Sequence, residues 1–515
     1  MSRIIAACAV MGLALLAAAG AARAPKPAAI GIFDAQADIG ATAVRGIARH
    51  DPATGSYRVT GGGANIWGDK DAFHFLWTRR SGDLHVATDI AFVGAGGQPH
   101  RKAGVMIRQD LTPGSPYADV MVHGNGLAAL QYREIPGGPT RQIIANVTSP
   151  RSVRLEREGD YVYFSVRGAD GKLHHAGGNF RIRLQGSCYV GLAVSAHDNK
   201  ATETAVFSNV SLSVPKLAIV PDTGYPARVE STLETMEVSG DESRTVVRHF
   251  DGKIEAPNWT RDGTSLVYNS NGRIYRIPAG GGEPVAINTG PNIKNNNDHG
   301  LSPDGTELII SDQTEADNLS RIHVLPLDGS DAPRLVASHA DARSYWHGWS
   351  PDGKTIAYVY VHTSNGDYDI YTRPLAGGPD VKLIAGPGND DGPEYSPDGR
   401  YIYFNSTRTG AMQIWRANAA DGSNPEQVTK DPGYRDWFPH LSPDGKWIAF
   451  VSFGTNVDLG DHPPNRDVVL RIMPTDGSAP PRVLTRLFGG QGTMNVPSWS
   501  PDSKSIAFVS YRLVR

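Results

Sequence analysis

The sequence predicts an all-β protein: an N-terminal β-sandwich of the jelly-roll kind, then a six-bladed β-propeller closed by its own N-terminal strands. Three observations carry this expectation. Ser-Pro-Asp-Gly recurs from Ser302, Ser350, Ser396 and Ser442, with degenerate copies at Thr260-Arg261-Asp262-Gly263 and Ser500-Pro501-Asp502-Ser503. Successive copies start 42, 48, 46, 46 and 58 residues apart, which is the period of a propeller blade and not of a helical repeat. Each copy is followed by an apolar, β-branched and aromatic run, such as residues 355–360 or 447–452. Pro at the second position and Gly at the fourth suit a type I turn, so each copy reads as a tight hairpin.

The 515-residue chain is long enough for two or more domains. Its 40% hydrophobic content, with 58 Gly and 36 Pro, suits a turn-rich β protein. A formal net charge of -3 offers no electrostatic argument for nucleic acid or an anionic membrane. Residues 1–24 read as an export signal: Arg3, an apolar run from Ile4 to Ala19, then small residues through Ala24. That run is too short and Ala-rich for a permanent span, so the mature chain is expected in the periplasm or outside the cell. One cysteine then remains, Cys188, which cannot form an internal disulfide and reads as a small buried side chain.

Residues 25–214 carry strand-like runs separated by turn signals, among them a hairpin of residues 153–157 and 161–166 around Glu158-Gly159-Asp160. This pattern predicts an antiparallel sandwich. The stretch from Gly62 to Trp67, through Asp71–Phe75, Lys102–Arg108 and Gln131–Arg133 to Tyr189–Ala193, resembles the concanavalin-like, laminin-G-type jelly rolls of exported bacterial proteins. The resemblance implies a sugar-binding face, with Trp67, Trp77, Arg108, Gln131 and Arg133 as its candidates. The competing reading makes the two Trp residues core and the Arg residues solvated strand positions.

Three prolines between Pro215 and Pro226 mark residues 215–226 as an extended linker. Residues 227–515 form the propeller. Residues 232–238 and 243–250 are two strands ahead of the first turn copy, and the chain stops after the strand that follows Ser503. The N-terminal pair therefore supplies the outer strands of the last blade, leaving no open edge. With Trp259, Trp349 and Trp499 directly before their turns, the repeats resemble the TolB-type, WD40-like propeller family. The all-β first domain departs from the α/β domain of true TolB, which speaks against the Tol-Pal assembly role.

Strand order separates two faces. The Ser-Pro-Asp-Gly turns gather on one side, and the longer, chemically richer connections on the other, where a ligand site is expected. Residues entering the innermost strands include Asn297, Asp298, His299, Tyr345, Trp346, His347, Asp391, Glu394, Trp437, Phe438, His440 and Asn495. His299, His347 and His440 form a candidate divalent-metal set, completed by Asp298, Asp391, Glu394 or Gln491. His440 stands two residues before its turn Ser and the others three, an offset that aims it elsewhere on a period-two strand. The alternatives are a polar ligand site without metal and a self-satisfied polar mouth. His462, in the longest insertion, reads as part of a lid with a bystander imidazole, and the Gly489–Gly492 run is dismissed as a phosphate loop because no helix follows.

Two function classes stand side by side. Oligogalacturonate lyases are built on similar propellers; that likeness implies a metal at the three histidines, Arg408 on the substrate carboxylate and Tyr345 or a nearby His as base. Hydrolysis by Asp391 and Glu394 as acid and base is the second enzymatic version. The other class is a non-catalytic scaffold binding a glycan or a periplasmic protein through Tyr345, Trp346, Trp437 and Phe438, with Asn297, Asp298, Gln491 and Asn495 as polar contacts.

Overall fold

The computed structural model describes residues 29–94, 97–168, 171, 173–177, 180–215, 229–240 and 243–513. The export signal and all but the first residue of the linker lie outside the described residues. Those residues hold strands and turns and no helix, so the all-β expectation stands.

Each turn copy is locked by one short side-chain bond. The Ser or Thr hydroxyl donates to the Asp two residues on, at 2.6–2.7 Å in all six copies. The same oxygen accepts the backbone N–H five residues on, at 2.9–3.0 Å. Gly305, Gly353, Gly399 and Gly445 take φ of 70–75°, a region that Cβ-bearing residues rarely adopt. In the last copy Ser503 takes φ 62° instead.

Around these turns stand five four-stranded antiparallel sheets. Their first strands are Glu255–Trp259, Asn295–Leu301, Ala342–Trp349, Asp390–Tyr395 and Tyr434–Leu441. These first strands neighbour one another in that order, and the final strand, Ser505–Leu513, returns to Glu255–Trp259. Ser505–Leu513 pairs along its whole length with Val229–Glu237, which pairs with Arg244–Phe250. Trp499 bridges Ile506 on the other edge. Glu234 and Arg244 form a bidentate pair at 2.6 and 2.8 Å, with Ser510 also donating to Glu234; all three are buried.

Residues 35–213, the expected first domain, contribute to two sheets that share one apolar core. Leu76, Val105, Val120 and Leu192 come from one sheet; Val86, Leu155, Phe164 and Phe207 come from the other. Cys188 lies fully buried in that core, as expected of a packing residue. One of these sheets does not end at the domain boundary. Arg141–Ile144 pairs in parallel with Arg244–Phe250, so ten strands run continuously into the strands that meet the C-terminus. Arg512 reinforces the junction with two 2.8 Å contacts to Glu156 and Glu158.

The expected sugar-binding face of the first domain is not open. Arg108, Gln131 and Arg133 are buried, and Arg133 grips Asp71 at 2.7 and 2.9 Å while Arg108 stands 3.4 Å from it. Lys102 donates to Gln131 at 3.1 Å and to the Ile66 carbonyl at 2.7 Å, and burial lowers its ammonium to about 8. Trp77 packs edge-on against Tyr189, and Trp67 lies half-buried beside Lys102. The Arg residues are therefore neither sugar ligands nor solvated: the segment from Asn65 to Asp71, pinned by the Asn65–Ala72 bridge, folds over them.

The Glu234–Arg244 pair joins the strands that hold the C-terminal strand in place. Glu234→Ala leaves Arg244 buried without its counterion, and chemical denaturation is expected to show a loss of about 3–5 kcal/mol. Glu234→Gln, which keeps the shape and one acceptor, is expected to lose less.

Candidate functional site

The first strand of every four-stranded sheet breaks register at one equivalent place. The shifts fall between Glu255 and Asn258, Asn295 and His299, Trp346 and Gly348, Asp391 and Glu394, and Trp437 and His440. Pro257, Pro393 and Pro439 sit inside three of them, where a missing N–H costs no ladder bond. The residues before those prolines, Ala256, Gly392 and Phe438, take φ of 56°, 62° and 55°. A bulge re-aims the side chains on either side of it. It divides four of the five first strands between two cavities, and Glu255–Trp259 lines only the one at the turn end.

Residues five before the turn Ser, namely Asn297, Tyr345, Asp391 and Asn495, line a cavity of about 260 Å³ at the end away from the turns. Asn296, Asp298, Gln313, His347, Tyr368, Phe438, His462 and Gln491 complete it. Residues two before the turn, Asn258, Gly348 and Glu394, line a cavity of about 430 Å³ at the turn end, walled by Trp259, Trp349, Trp499 and five turn prolines. The turn end is thus the roomier of these two mouths, although the ligand site is expected at the other end.

The 260 Å³ cavity is rich in acceptors. His347 Nε2 stands 3.4 Å from Asp391 and 3.9 Å from Asp298, and His462 Nε2 stands 3.8 Å from Asp391. Burial pushes the Asp298 carboxyl well above the usual range, and the charges of Asp391 and Glu255 push it further. Burial holds His347 down to about 4 and raises the Tyr345 hydroxyl to about 12. No Lys or Arg lines the cavity among the described residues. His347 stacks on Phe438, with ring centroids 5.8 Å apart and planes 15° apart. Phe438 takes its left-handed φ with its N–H donated to Asn405 at 3.0 Å; such strain, about 1–3 kcal/mol, persists where the surroundings over-determine it and clusters at functional sites.

Eight of the predicted residues meet here: Asn297, Asp298, Tyr345, His347, Asp391, Phe438, Gln491 and Asn495. Asn495 also donates to Gln491 at 2.9 Å. The three histidines proposed as one metal set do not converge. His299 is fully buried beside the Val267 and Asn297 backbone, and burial lowers it to about 4. His440 Nδ1 stands 2.7 Å from Glu394 and Nε2 3.2 Å from the Met494 carbonyl. Among the described residues, the His and carboxylate groups tight enough to share an ion are His85–Glu156–Glu158 and Glu230–His249–Asp251, away from this cavity. Glu394 and Trp346 line the turn-end mouth, so Asp391 and Glu394 do not face one bond between them. Arg408 is held at 2.8 Å by Asp390 and by Ser406, over the rings of Phe404 and Trp415. Trp437 is buried under His462, at a centroid distance of 4.4 Å.

Sequence reasoning passed over Gln313 and Tyr368 and treated His462 as a bystander. All three flank connections between second and third strands, which the strand order already assigned to this face. Their signal was position in the repeat, not residue type.

The Asp298 carboxyl resists ionisation when folded, so the folded chain keeps that proton at pH values where the unfolded chain has lost it. Above the ordinary carboxylate range this costs stability, and below it the cost vanishes. Asp298→Asn is accordingly expected to raise the melting temperature at about pH 8 and to raise it less at about pH 4. Scanning calorimetry at the two pH values checks this, and an equal gain at both would contradict it.

Comparison with known proteins agrees with the propeller part of this architecture. The family model for the TolB beta propeller domain (PD40) matches residues 346–462. An uncharacterized protein of Agrobacterium fabrum strain C58 is 46% identical over 290 residues, which cover 56% of this chain and 95% of that protein. The solved structure of a putative TolB from Agrobacterium tumefaciens is 45% identical, with a TM-score of 0.52 over 56% of this chain and 99% of that one. The Tol-Pal system protein TolB of Francisella tularensis strain WY96-3418 is 27% identical over 57% of this chain and 66% of its own length. The chain belongs to the TolB-type β-propeller family.

Proposed function

We propose that this chain is an exported, periplasmic protein that binds a carbohydrate through the 260 Å³ cavity, taking its hydroxyl or ammonium donors on Asp298 and Asp391. The observation that carries this is the pairing of two buried acids, Asp391 and the proton-retaining Asp298, with a neutral imidazole in a cavity that no Lys or Arg lines among the described residues. Such a site offers amide and hydroxyl donors but no cationic one among the described residues. It favours polyhydroxy or amino groups and repels a carboxylate, and Phe438 and Tyr345 offer rings for a sugar face. We read Trp499 and strands Ser505–Leu513, Val229–Glu237 and Arg244–Phe250 as a sixth blade, and the two stacked sheets of residues 25–214 as the jelly roll. Arg408, committed to Asp390, leaves the lyase version without its carboxylate clamp, and Glu394, at the other mouth, leaves the hydrolase version without its second acid. Binding without catalysis is the reading the geometry favours.

A second reading, contact with a periplasmic protein, is favoured by the turn-end mouth. Trp259, Trp349 and five turn prolines line it, an apolar and aromatic rim of the kind protein side chains bury against. Replacing Trp349 by Phe is expected to weaken such a contact and leave carbohydrate binding intact.

Calorimetric titration with neutral, amino and uronate oligosaccharides tests the first reading. Asp391→Asn is expected to weaken the bound neutral or amino sugar by about 10–100-fold, the worth of a hydrogen bond to a charged group. Because the histidines do not converge, adding Mn²⁺ or Ca²⁺ is expected to leave affinity unchanged. A strict metal requirement, or an Asp391→Asn variant that binds as well as the parent, would refute the assignment.

A further inference from the structure

A cavity of about 700 Å³ lies between the first domain and the fifth four-stranded sheet. It falls within the range of about 300–1,000 Å³ typical of ligand clefts, and domain junctions are favoured places for them. Its walls come from separate parts of the chain. In the first domain, Phe180 and Ile182 point into the core while Arg181 and Arg183, alternating with them, are exposed along the cleft. On the propeller side, Asp467 pairs with Phe488 and Val469 with Arg486 in strands Pro464–Pro474 and Arg482–Gly490, so these four side chains share one face of the ribbon. That face turns toward the first domain: Tyr161 meets Phe488 edge-on at 5.7 Å and its hydroxyl donates to Asp467.

The charges in the cleft do not balance. Arg181, Arg183, Arg466 and Arg486 face two carboxylates, Glu134 and Asp467. Glu134 is already paired with Arg141 at 3.2 Å, and Asp467 with Arg181 at 3.1 Å. Arg183, Arg466 and Arg486 are left without a carboxylate partner among the described residues. The chain as a whole carries a formal net charge of -3, so this local surplus does not come from general basicity.

We infer that this cleft binds an acidic oligosaccharide, with Arg183 and Arg486 holding its acid groups from opposite walls. Guanidinium forks match carboxylate and sulfate geometry, and Phe488 offers an apolar surface between them. Rigid sugar rings present acid groups at fixed spacing with less ordering cost than a flexible acidic peptide. The ligand chemistry is opposite to that of the channel cavity, so the two sites are separable.

Titration calorimetry with a uronate hexasaccharide at low salt, against its carboxyl-reduced counterpart, tests this. Saturable binding of the acidic sugar alone is expected, with about a tenfold or greater loss in Arg183→Ala/Arg486→Ala, a double variant whose melting temperature is expected to match the parent because both side chains are exposed. His347→Ala is expected to leave this binding unchanged, which separates it from the channel site. Equal affinity for the reduced sugar, full binding by the double variant, or no saturable binding would overturn the proposal. Tighter binding of an acidic peptide or of inorganic phosphate at the same arginines would overturn the saccharide class.

Discussion

The bond from the turn hydroxyl to the Asp two residues on recurs in all six turn copies, and most of the propeller's geometry follows from it. By holding the hydroxyl in place to accept the N–H that opens the next strand, it sets which residue of the first strand faces which residue of the second. Register decides which side chains face the channel, because a slip of one residue would turn each of them to the opposite face. The turn motif is therefore a register device with no ligand chemistry of its own. Functional variety is confined to the residues ahead of it.

Those residues are separated by the bulge that each first strand of the five four-stranded sheets carries. Without it, positions five, three and one before the turn would share a face from one mouth to the other. With it, Asp391 belongs to the small polar cavity and Glu394 to the tryptophan-lined mouth, although they stand three residues apart in one strand. The same device separates His440 from His347: His440 falls beyond the bulge and pairs with Glu394 of the neighbouring sheet. Phe438, held left-handed by its bond to Asn405, is the strained position that puts an aromatic ring against His347.

The sheets of residues 35–213 and the propeller sheets are joined by more than packing. The parallel pairing of Arg141–Ile144 with Arg244–Phe250 makes one sheet of both, and Arg512 and Tyr161 bridge the same junction with charge and hydrogen bonds. The arginine cleft lies beside that junction, with walls from both sides of it. A polar network, Asp71 with Arg108 and Arg133, is buried deep in the first domain under the segment that crosses it. Burying three charges is favourable only when each is paired, which explains why these residues are structural.

Repeat spacing and turn chemistry in the sequence were enough for the all-β class, the sheets around their turns, and eight of the residues that meet in the polar cavity, because turns and strand periodicity are local properties of a few neighbouring residues. The pairing of the two N-terminal propeller strands with the last strand was legible too, from counting strands. The fate of individual polar side chains was not. Whether Arg133 faces a sugar or Asp71, whether Arg408 is free or held by Asp390, and whether three histidines meet depend on partners distant in sequence and on bulges that the period-two pattern does not encode. The parallel strand pair between the domains and the arginine cleft beside it belong to the same class. They exist only once residues more than a hundred positions apart are brought together, and only the tertiary structure decides that.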